Sequence, residues 1–293
     1  MSTVTGPAGS AAEPVGSARE LIQSRSAAAR EIIAATARAP RIRRDVRHLE
    51  RYCMFIGYPR SGHSLVGALL DAHPDAVIAH ELDALRYAST GVVGRLALFA
   101  LIVEQERRFQ RSGVEWSGYR YAVAGQWQGR FRRLRVIGDK KGGRSTARLG
   151  NDPGLLDRLQ RIVRIPVRMV HVIRDPFDTI ATMHRRGEGS LEACAERYFE
   201  LVDVNQAVRR RVGQGVLDLH HIDLVRDPRR ELERLCAHVS IDPDRSYVDA
   251  CASIVSSSPH RSRHEVRWPR ALRHDIEVRI GDVDFLAGYT FDD

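Results

Sequence analysis

The chain reads Tyr52-Cys53-Met54-Phe55-Ile56-Gly57 and continues as Tyr58-Pro59-Arg60-Ser61-Gly62-His63-Ser64. The first run is short and apolar, which is typical of a buried strand. The second is polar and contains Pro and Gly, which is typical of a turn. Apolar residues then recur at helical spacing at positions 65, 66, 69 and 70. The stretch therefore predicts a strand, a turn and a helix in direct succession.

The turn is a suitable place for a phosphate, because the first N–H groups of a helix are unpaired and the helix dipole is positive there. Arg60 adds a fixed positive charge, and the hydroxyl groups of Ser61 and Ser64 add hydrogen-bond donors. Gly62 allows the backbone to approach an anion closely. The P-loop of NTPases would have Lys directly after its second Gly, where this chain has His63, so phosphoryl transfer from ATP is disfavoured.

Further short apolar runs predict more strands of the same sheet. They lie at residues 76–78, 135–137, 167–172 and 216–219, and helical patterns occur between them. Strands that alternate with helices indicate βαβ units, which form a parallel sheet with right-handed connections. The predicted fold class is therefore α/β, with three layers in which helices flank a central parallel sheet.

The sequence divides into three predicted parts. Residues 1–16 are rich in Ala, Gly, Ser, Thr and Pro without periodicity, which predicts a disordered tail. Residues 17–49 predict a basic helical extension whose arginines face solvent, with anion contact as the alternative. Residues 50–293 predict one large domain. Its apolar residues 96–103 are too few to span a bilayer and predict a core helix, with an acceptor-lining or membrane-touching helix as the alternative.

The composition indicates which binding partners and which cellular compartment are expected. The chain has 46 Lys and Arg against 37 Asp and Glu, a net charge of +9, which favours anionic partners such as nucleotides, nucleic acid, anionic lipid or acidic glycan. Four cysteines without a CxxC pair or metal-like spacing predict neither a disulfide framework nor a metal site. No signal-peptide pattern occurs and no apolar run reaches about 18 residues, so a soluble, cytoplasmic protein is expected.

The anion-binding turn is similar to a motif of a known family. Residues 58–64 resemble the 5'-phosphosulfate loop of sulfotransferases that use 3'-phosphoadenosine-5'-phosphosulfate (PAPS), with His63 where the family has Thr or Ser. The resemblance implies a P-loop-like fold that binds PAPS as co-substrate and needs no metal. It also implies that Arg60, Ser61, Gly62, His63 and Ser64 hold the 5'-phosphosulfate.

A second motif lies about 110 residues further on, where a predicted strand runs into RDPFDTIAT at residues 174–182. This segment resembles the family's 3'-phosphate motif, and the resemblance implies that Arg174 and Thr182 hold the 3'-phosphate. An Arg at a strand end offers fork-shaped donors for such a group, and Pro176 fits the first position of a helix. Asp178 is expected to support the turn.

The same resemblance implies a general base. After the second predicted strand the chain reads HELD at residues 80–83, as in the carbohydrate-type branch of the family, where a Glu at this offset is the catalytic base. Glu81 is therefore the predicted base, because a carboxylate beside the cationic loop can accept the acceptor's proton. His63 and His80 are the alternatives, since imidazole is a common general base.

Three further segments resemble the family. Residues 138–140 resemble one that places a Lys beside the transferred group, so Lys140 is predicted to stabilise the charge of the leaving phosphate. Arg261 and Arg263 stand in a basic loop where relatives place another Arg contact to the 3'-phosphate. Residues 216–228 are expected to be structural, with Asp227 as the cap of a following helix.

The predicted function is transfer of a sulfuryl group from PAPS to a hydroxyl or amine of a glycan, glycolipid or small metabolite, with peripheral membrane contact left open. An ATP-dependent small-molecule kinase and a non-catalytic basic nucleic-acid-binding protein are the alternatives. The chain lacks the GK[ST] motif that such a kinase would need. Only 6% of its residues are aromatic and it has no RRM or helix-turn-helix pattern, which argues against specific nucleic-acid binding. The sequence indicates no oligomeric state.

The acceptor site is expected within residues 87–131, which match no known pattern. Its aromatic residues are predicted to be buried, with stacking on sugar rings as the alternative. They are Trp116, Tyr119, Tyr121 and Trp127.

Overall fold

The computed structural model describes the backbone of residues 18–292 and the side chains of residues 26–292. The predicted disordered tail, residues 1–16, lies outside the described residues.

The core of the fold is a five-stranded parallel sheet in the order β2-β5-β1-β6-β7, and a short antiparallel hairpin, β3-β4, lies outside it. The strands are β1 Arg51–Gly57, β2 Ala76–His80, β3 Glu115–Trp116, β4 Tyr119–Arg120, β5 Val136–Lys140, β6 Val167–Ile173 and β7 Val216–His220. All five predicted strands are present and parallel, which confirms the predicted fold class.

Helices connect the strands and cover both faces of the sheet. They are α1 Ala18–Ile42, α2 His63–Asp71, α3 Ala84–Ala88, α4 Arg95–Arg111, α5 Gly143–Asn151, α6 Leu155–Val163, α7 Pro176–Arg185, α8 Leu191–Val212, α9 His221–Arg226, α10 Pro228–Val239, α11 Arg245–Ser253 and α12 Arg270–Gly281. Short 3-10 helices lie at Asp45–His48, Gly213–Gly215, Ser262–Glu265 and Asp284–Leu286. Asp227 caps α10 by accepting a hydrogen bond from the Arg230 backbone, as predicted.

The three layers follow from the alternation of side chains along β1. Tyr52, Met54 and Ile56 pack into one apolar cluster, with α1, α3, α4 and α6. Cys53 and Phe55 pack into a second cluster on the opposite face, with α2, α10 and α11. Successive side chains of a strand point to opposite faces, so a strand that is apolar at every position must be covered on both.

The N-terminal helix α1 packs against α4 and contributes Ala28, Ile32 and Ala35 to the first cluster. The basic residues at and after its end, Arg41, Arg43, Arg44 and Arg47, are exposed, in agreement with the expected solvated face. Helix α4 contains the apolar run 96–103, and its residues Leu98, Phe99 and Ile102 are fully buried, which confirms a core helix. Among the described residues, no helix has the length and apolar character needed to cross a bilayer.

The topology places the functional loops at one edge of the sheet. Because β1 lies between β5 and β6, the chain crosses from one side of β1 to the other after β5. Ligands of open α/β sheets bind where the connections diverge in this way, at the carboxyl ends of the strands. The loops that follow β1, β2, β5 and β6 carry the predicted site residues and meet at this edge.

Candidate active site

The loop between β1 and α2 has the form that the sequence predicted. Gly62 has φ +94°, and a Cβ there would lie 2.7 Å from the His221 ring, so only glycine fits. The side chain of Arg60 is held by Glu188, with Arg60 Nε donating to Glu188 Oε1 at 2.9 Å. Glu188 was not predicted, because the ion pair joins residues that are far apart in sequence.

Ser61 differs from its predicted role. It is fully buried, and its hydroxyl donates to the Tyr58 carbonyl oxygen at 3.0 Å and lies 3.2 Å from His63 Nδ1. The hydroxyl is therefore engaged in stabilising the loop and is not available to an anion in this structure. Ser64 is half-buried, and its hydroxyl accepts a hydrogen bond from Lys140 at 2.9 Å.

Lys140 joins the anion-binding loop to the predicted base. Its ammonium group donates to Ser64 Oγ at 2.9 Å and to Glu81 Oε1 at 2.5 Å, and the residue is 1% exposed. Lys141 Nζ donates to the other oxygen, Glu81 Oε2, at 2.6 Å. Gly67 of α2 leaves room for this lysine, since a Cβ there would lie 2.9 Å from Lys140 Cγ. The structure thus brings the predicted base and the predicted cation together.

The charges of this cluster determine the protonation of Glu81. Burial alone raises the pKa of the Glu81 carboxyl, but the ammonium groups of Lys140 and Lys141 hold it well below its ordinary value. Burial lowers the pKa of Lys140, and the Glu81 carboxylate opposes that shift. Glu81 is therefore ionised at neutral pH and can accept a proton, and its basicity depends on how closely the two lysines stay paired with it.

The two histidine alternatives are neutral. Burial and the nearby charge of Lys140 lower the pKa of His63 to about 3. The same two causes lower the pKa of His80 to about 2. Burial lowers the pKa of both imidazoles, whereas it raises the pKa of the Glu81 carboxyl. Loss of a neighbouring positive charge would therefore leave either histidine a weaker base than Glu81.

The turn that carries Glu81 is held in an uncommon backbone conformation. Glu81 has φ 61° and Asp83 has φ 66°. Asp139, which is buried on β5, accepts hydrogen bonds from the Leu82 and Ala84 backbones at 3.1 and 2.6 Å. Burial raises the pKa of Asp139 to about 7. These contacts fix the carboxylate of Glu81 next to Lys140, because strained turns persist only where the surroundings hold them.

The second predicted motif forms a polar cluster beside the loop. Arg174 lies after β6 and donates to the Arg60 carbonyl oxygen at 3.2 Å, to Thr182 Oγ1 at 3.3 Å and to the His260 carbonyl oxygen at 2.6 Å. Ser262 joins the cluster, since its Oγ lies 3.3 Å from the Arg174 guanidinium and 2.9 Å from Thr182 Oγ1. Arg174 forms no ion pair with a carboxylate among residues 26–292.

Ser262 was missed by the sequence reasoning. The basic residues of its loop drew attention to Arg261 and Arg263, whereas the serine between them provides the hydroxyl at the cluster. A polar loop that follows the motif by about 80 residues gives no pattern that would select one hydroxyl.

Arg263 occupies a different place from the one predicted. It is 3% exposed, and its guanidinium pairs with Asp178 Oδ2 at 2.9 Å and Asp175 Oδ2 at 2.7 Å. It also donates to the Thr290 carbonyl oxygen at 2.7 Å. Its donors are used in packing the 262–265 turn on α7, which corrects the predicted phosphate contact. Arg261 is exposed, and its side-chain contact with a ligand stays a prediction.

Replacing Arg263 with methionine is expected to lower the free energy of unfolding by about 3–5 kcal/mol, because Asp175 and Asp178 lose their buried cation. Urea denaturation measures the change. Arg261→Met is the matched control, with an expected effect within about 0.5 kcal/mol, because that side chain is exposed. Equal stabilities of the two variants would contradict the structural role of Arg263.

The predicted burial of the aromatic residues in the 87–131 segment is wrong for three of the four. Trp116, Tyr119 and Trp127 are 41%, 60% and 36% exposed. Tyr121 is half-buried, and its ring lies 6.4 Å from the Tyr119 ring. Burial raises the pKa of Tyr121 to about 12, so its hydroxyl keeps its proton at neutral pH.

A sequence profile described as "Sulfotransferase family" matches residues 54–245, about two thirds of the chain. The search among curated proteins found no match.

Among solved structures, sulfotransferase STF9 from Mycobacterium avium is similar in fold. It has 12% identity and a TM-score of 0.51, with 95% of this chain and 86% of that chain covered. The sulfotransferase domain of the Synechococcus PCC 7002 olefin synthase has 20% identity and a TM-score of 0.46, covering 78% and 84%. Mouse sulfotransferase SULT7A1, complexed with 3'-phosphoadenosine-5'-phosphate (PAP), has 15% identity and a TM-score of 0.40, with 76% of this chain and 69% of that chain covered.

Proposed function

We propose that this chain, which belongs to the sulfotransferase family, transfers a sulfuryl group from PAPS to a hydroxyl or amine of a small-molecule, glycan or glycolipid acceptor. The observation that carries the proposal is the cluster of Arg174, Thr182 and Ser262. Its guanidinium has hydroxyl and carbonyl partners but forms no ion pair with a carboxylate of the described residues. It adjoins the anion-binding loop through the Arg60 carbonyl. Two adjacent anion sites suit a nucleotide that carries phosphate at two positions.

The nucleotide would be held at both ends. Gly62, His63 and Ser64 at the start of α2, with the charge of Arg60, would bind the 5'-phosphosulfate. Arg174 and its two hydroxyl neighbours would bind the 3'-phosphate, and each hydrogen bond to a charged group contributes about 1.5–3 kcal/mol. Glu188 forms an ion pair with Arg60 and partly neutralises its positive charge. Arg174 is therefore expected to contribute more than Arg60 to the binding of an anion.

The transfer would be an in-line displacement at sulfur. The acceptor oxygen or nitrogen forms a bond to sulfur while the bond from sulfur to the 5'-phosphate oxygen breaks. The acceptor's proton passes to the Glu81 carboxylate, and the bonding electrons stay on the departing 3'-phosphoadenosine-5'-phosphate (PAP). Lys140, 2.9 Å from Ser64 on the loop, would stabilise the negative charge that grows on the leaving oxygen.

The pairing of Lys140 with Glu81 links donor binding to catalysis. An anion on the loop attracts the Lys140 ammonium group, which lies between the loop and Glu81. A weakened ion pair raises the pKa of Glu81, because the lysines are what lowers it. Glu81 would therefore become a stronger base when the donor is bound.

The proposal is tested by calorimetric titration with PAP, AMP and Mg·ATP. Wild type is expected to bind PAP and to bind AMP at least tenfold more weakly, because AMP lacks the 3'-phosphate that Arg174 contacts. Arg174→Ala is expected to lower PAP affinity by at least tenfold, the equivalent of one charge-assisted hydrogen bond. AMP affinity is expected to change little in this variant.

The matched control is Arg210→Ala. This exposed arginine lies in the last turn of α8, which leads into the amino end of β7, at the opposite edge of the sheet. It is expected to leave PAP binding unchanged. Preference of the wild type for Mg·ATP would support the kinase alternative. A salt-sensitive affinity for long oligonucleotides without affinity for PAP would support the nucleic-acid alternative.

A further inference from the structure

The β3-β4 hairpin presents aromatic side chains to solvent beside the site. Trp116 and Tyr119 face each other in register on its two strands, and both are exposed. Large aromatic side chains are seldom grouped in solvent unless they take part in binding. A hairpin with two residues in each strand is also marginally stable by itself, so it can shift without cost to the core.

One ring contact places this hairpin beside the predicted base. The Trp116 ring lies edge-on to the His80 ring, with 5.0 Å between centroids, and His80 directly precedes Glu81. The Tyr119 ring lies 6.4 Å from the ring of Tyr121, which follows β4. The aromatic side chains of the hairpin therefore adjoin the end of β2, where Glu81 lies.

His80 provides an independent sign of a ligand. It is 5% exposed and stacks on Phe109 with 3.9 Å between ring centroids, yet its Nε2 has no hydrogen-bond partner among the described residues. Buried polar atoms are nearly always paired, and the exceptions cluster at functional positions. The ring is neutral, so Nε2 offers one ordinary hydrogen bond. The edge-on ring of Trp116 is the other neighbour of the His80 ring, on the hairpin side.

We propose that the hairpin and His80 form the acceptor site, and that the acceptor carries its reacting hydroxyl on a ring with an apolar face. This inference rests on the proposed sulfotransferase function. The ring packs against Trp116 and Tyr119, and Trp116 moves aside so that the ring hydroxyl pairs with His80 Nε2. The neighbouring Glu81 then lies beside the ring hydroxyl. Aromatic and sugar rings share the face that such stacking requires.

The test measures binding of four probes to the protein saturated with PAP, by ligand-observed NMR titration. The probes are 2-naphthol, its counterpart without the hydroxyl 2-methylnaphthalene, methyl β-glucopyranoside and the acyclic n-hexanol. At least one ring probe is expected to bind, and n-hexanol is expected to bind at least tenfold more weakly. Trp116→Ala is expected to weaken the ring probe at least tenfold. His80→Phe keeps the stack on Phe109 but is expected to remove the preference for 2-naphthol over 2-methylnaphthalene.

Trp127→Ala is the matched control, because Trp127 has a similar exposure of 36% but lies elsewhere. Its backbone donates to the Ala72 carbonyl oxygen at the far end of α2, about 13 Å along that helix from the loop. Ring probes that do not bind, or that bind equally to wild type and Trp116→Ala, overturn the acceptor site. Failure of PAP itself to bind would instead overturn the proposed function, so the two failures are distinguishable.

Discussion

Replacing Lys140 with methionine is expected to reduce kcat by about 10²–10³-fold, the loss typical of removing one preorganised group that stabilises charge in a transition state. Lys140 is the cation that contacts both the loop and Glu81, so it is placed where charge develops on the leaving oxygen. Its removal also raises the pKa of Glu81, because one of the two neighbouring charges is lost. A lower kcat together with a stronger base would show that the loss of kcat arises from weaker stabilisation of the leaving group.

The measurement is steady-state turnover of PAPS with an acceptor, alongside thermal unfolding. Methionine fills a similar volume, and Glu81 keeps Lys141 as a cationic partner in the variant, so thermal unfolding is measured to separate any loss of stability from the loss of turnover. Lys141→Met is the matched control, since Lys141 pairs with Glu81 at 2.6 Å but is not hydrogen-bonded to Ser64. A loss below about tenfold is expected for it. Equal losses in the two variants would show that Lys140 acts through Glu81 alone.

Much of this site could be predicted because it depends on strand order. Glu81 and Lys140 follow neighbouring strands, in which His80 is in register with Lys140. Parallel strands end at a common edge, so motifs that directly follow buried strands meet there. The same reasoning applies to Arg174 and the loop after β1, because β6 is the neighbour of β1.

Contacts between distant parts of the chain could not be predicted. Glu188 is identified as the partner of Arg60, and Ser262 as a neighbour of Thr182, only when the chain is folded. Arg263 was misjudged because arginine is abundant in this chain and is mostly exposed in proteins. Burial of an arginine requires compensating carboxylates, and the motif contributes both of them, Asp175 and Asp178.

The hairpin was misjudged for a different reason. Aromatic residues are more often buried than exposed, so burial was the expectation for Trp116 and Tyr119. Their strands have only two residues each, and such a short hairpin has no second layer to cover its face. Trp116 and Tyr119 belong to none of the apolar core clusters, so their exposure follows from the position of the hairpin outside the core.

Replacing Glu81 with glutamine is expected to reduce kcat by about 10²–10⁴-fold, the range for loss of a general base, while PAP still binds. The pH dependence of turnover is a second test of Glu81 as the base. Glu81 acts as a base when ionised, and the two lysines hold its pKa below the ordinary value near ~4.3. Turnover is therefore expected to stay constant as the pH falls from 7 towards that value. In Lys141→Met the pKa of Glu81 rises, so turnover is expected to decline at a higher pH.

Glu50→Gln is the matched control. Glu50 is also a carboxylate held by a cation, with Arg135 Nε donating to Glu50 Oε1 at 3.0 Å, but it precedes β1 and so lies at the opposite edge of the sheet. Unchanged kcat is expected for it. If Glu81→Gln retained turnover, one of the histidines would have to take the proton, and His63→Phe and His80→Phe would identify which. Burial and the nearby lysines lower the pKa of both imidazoles, so a histidine base would also give no decline in turnover near neutral pH, and the Glu81→Gln, His63→Phe and His80→Phe variants identify the base.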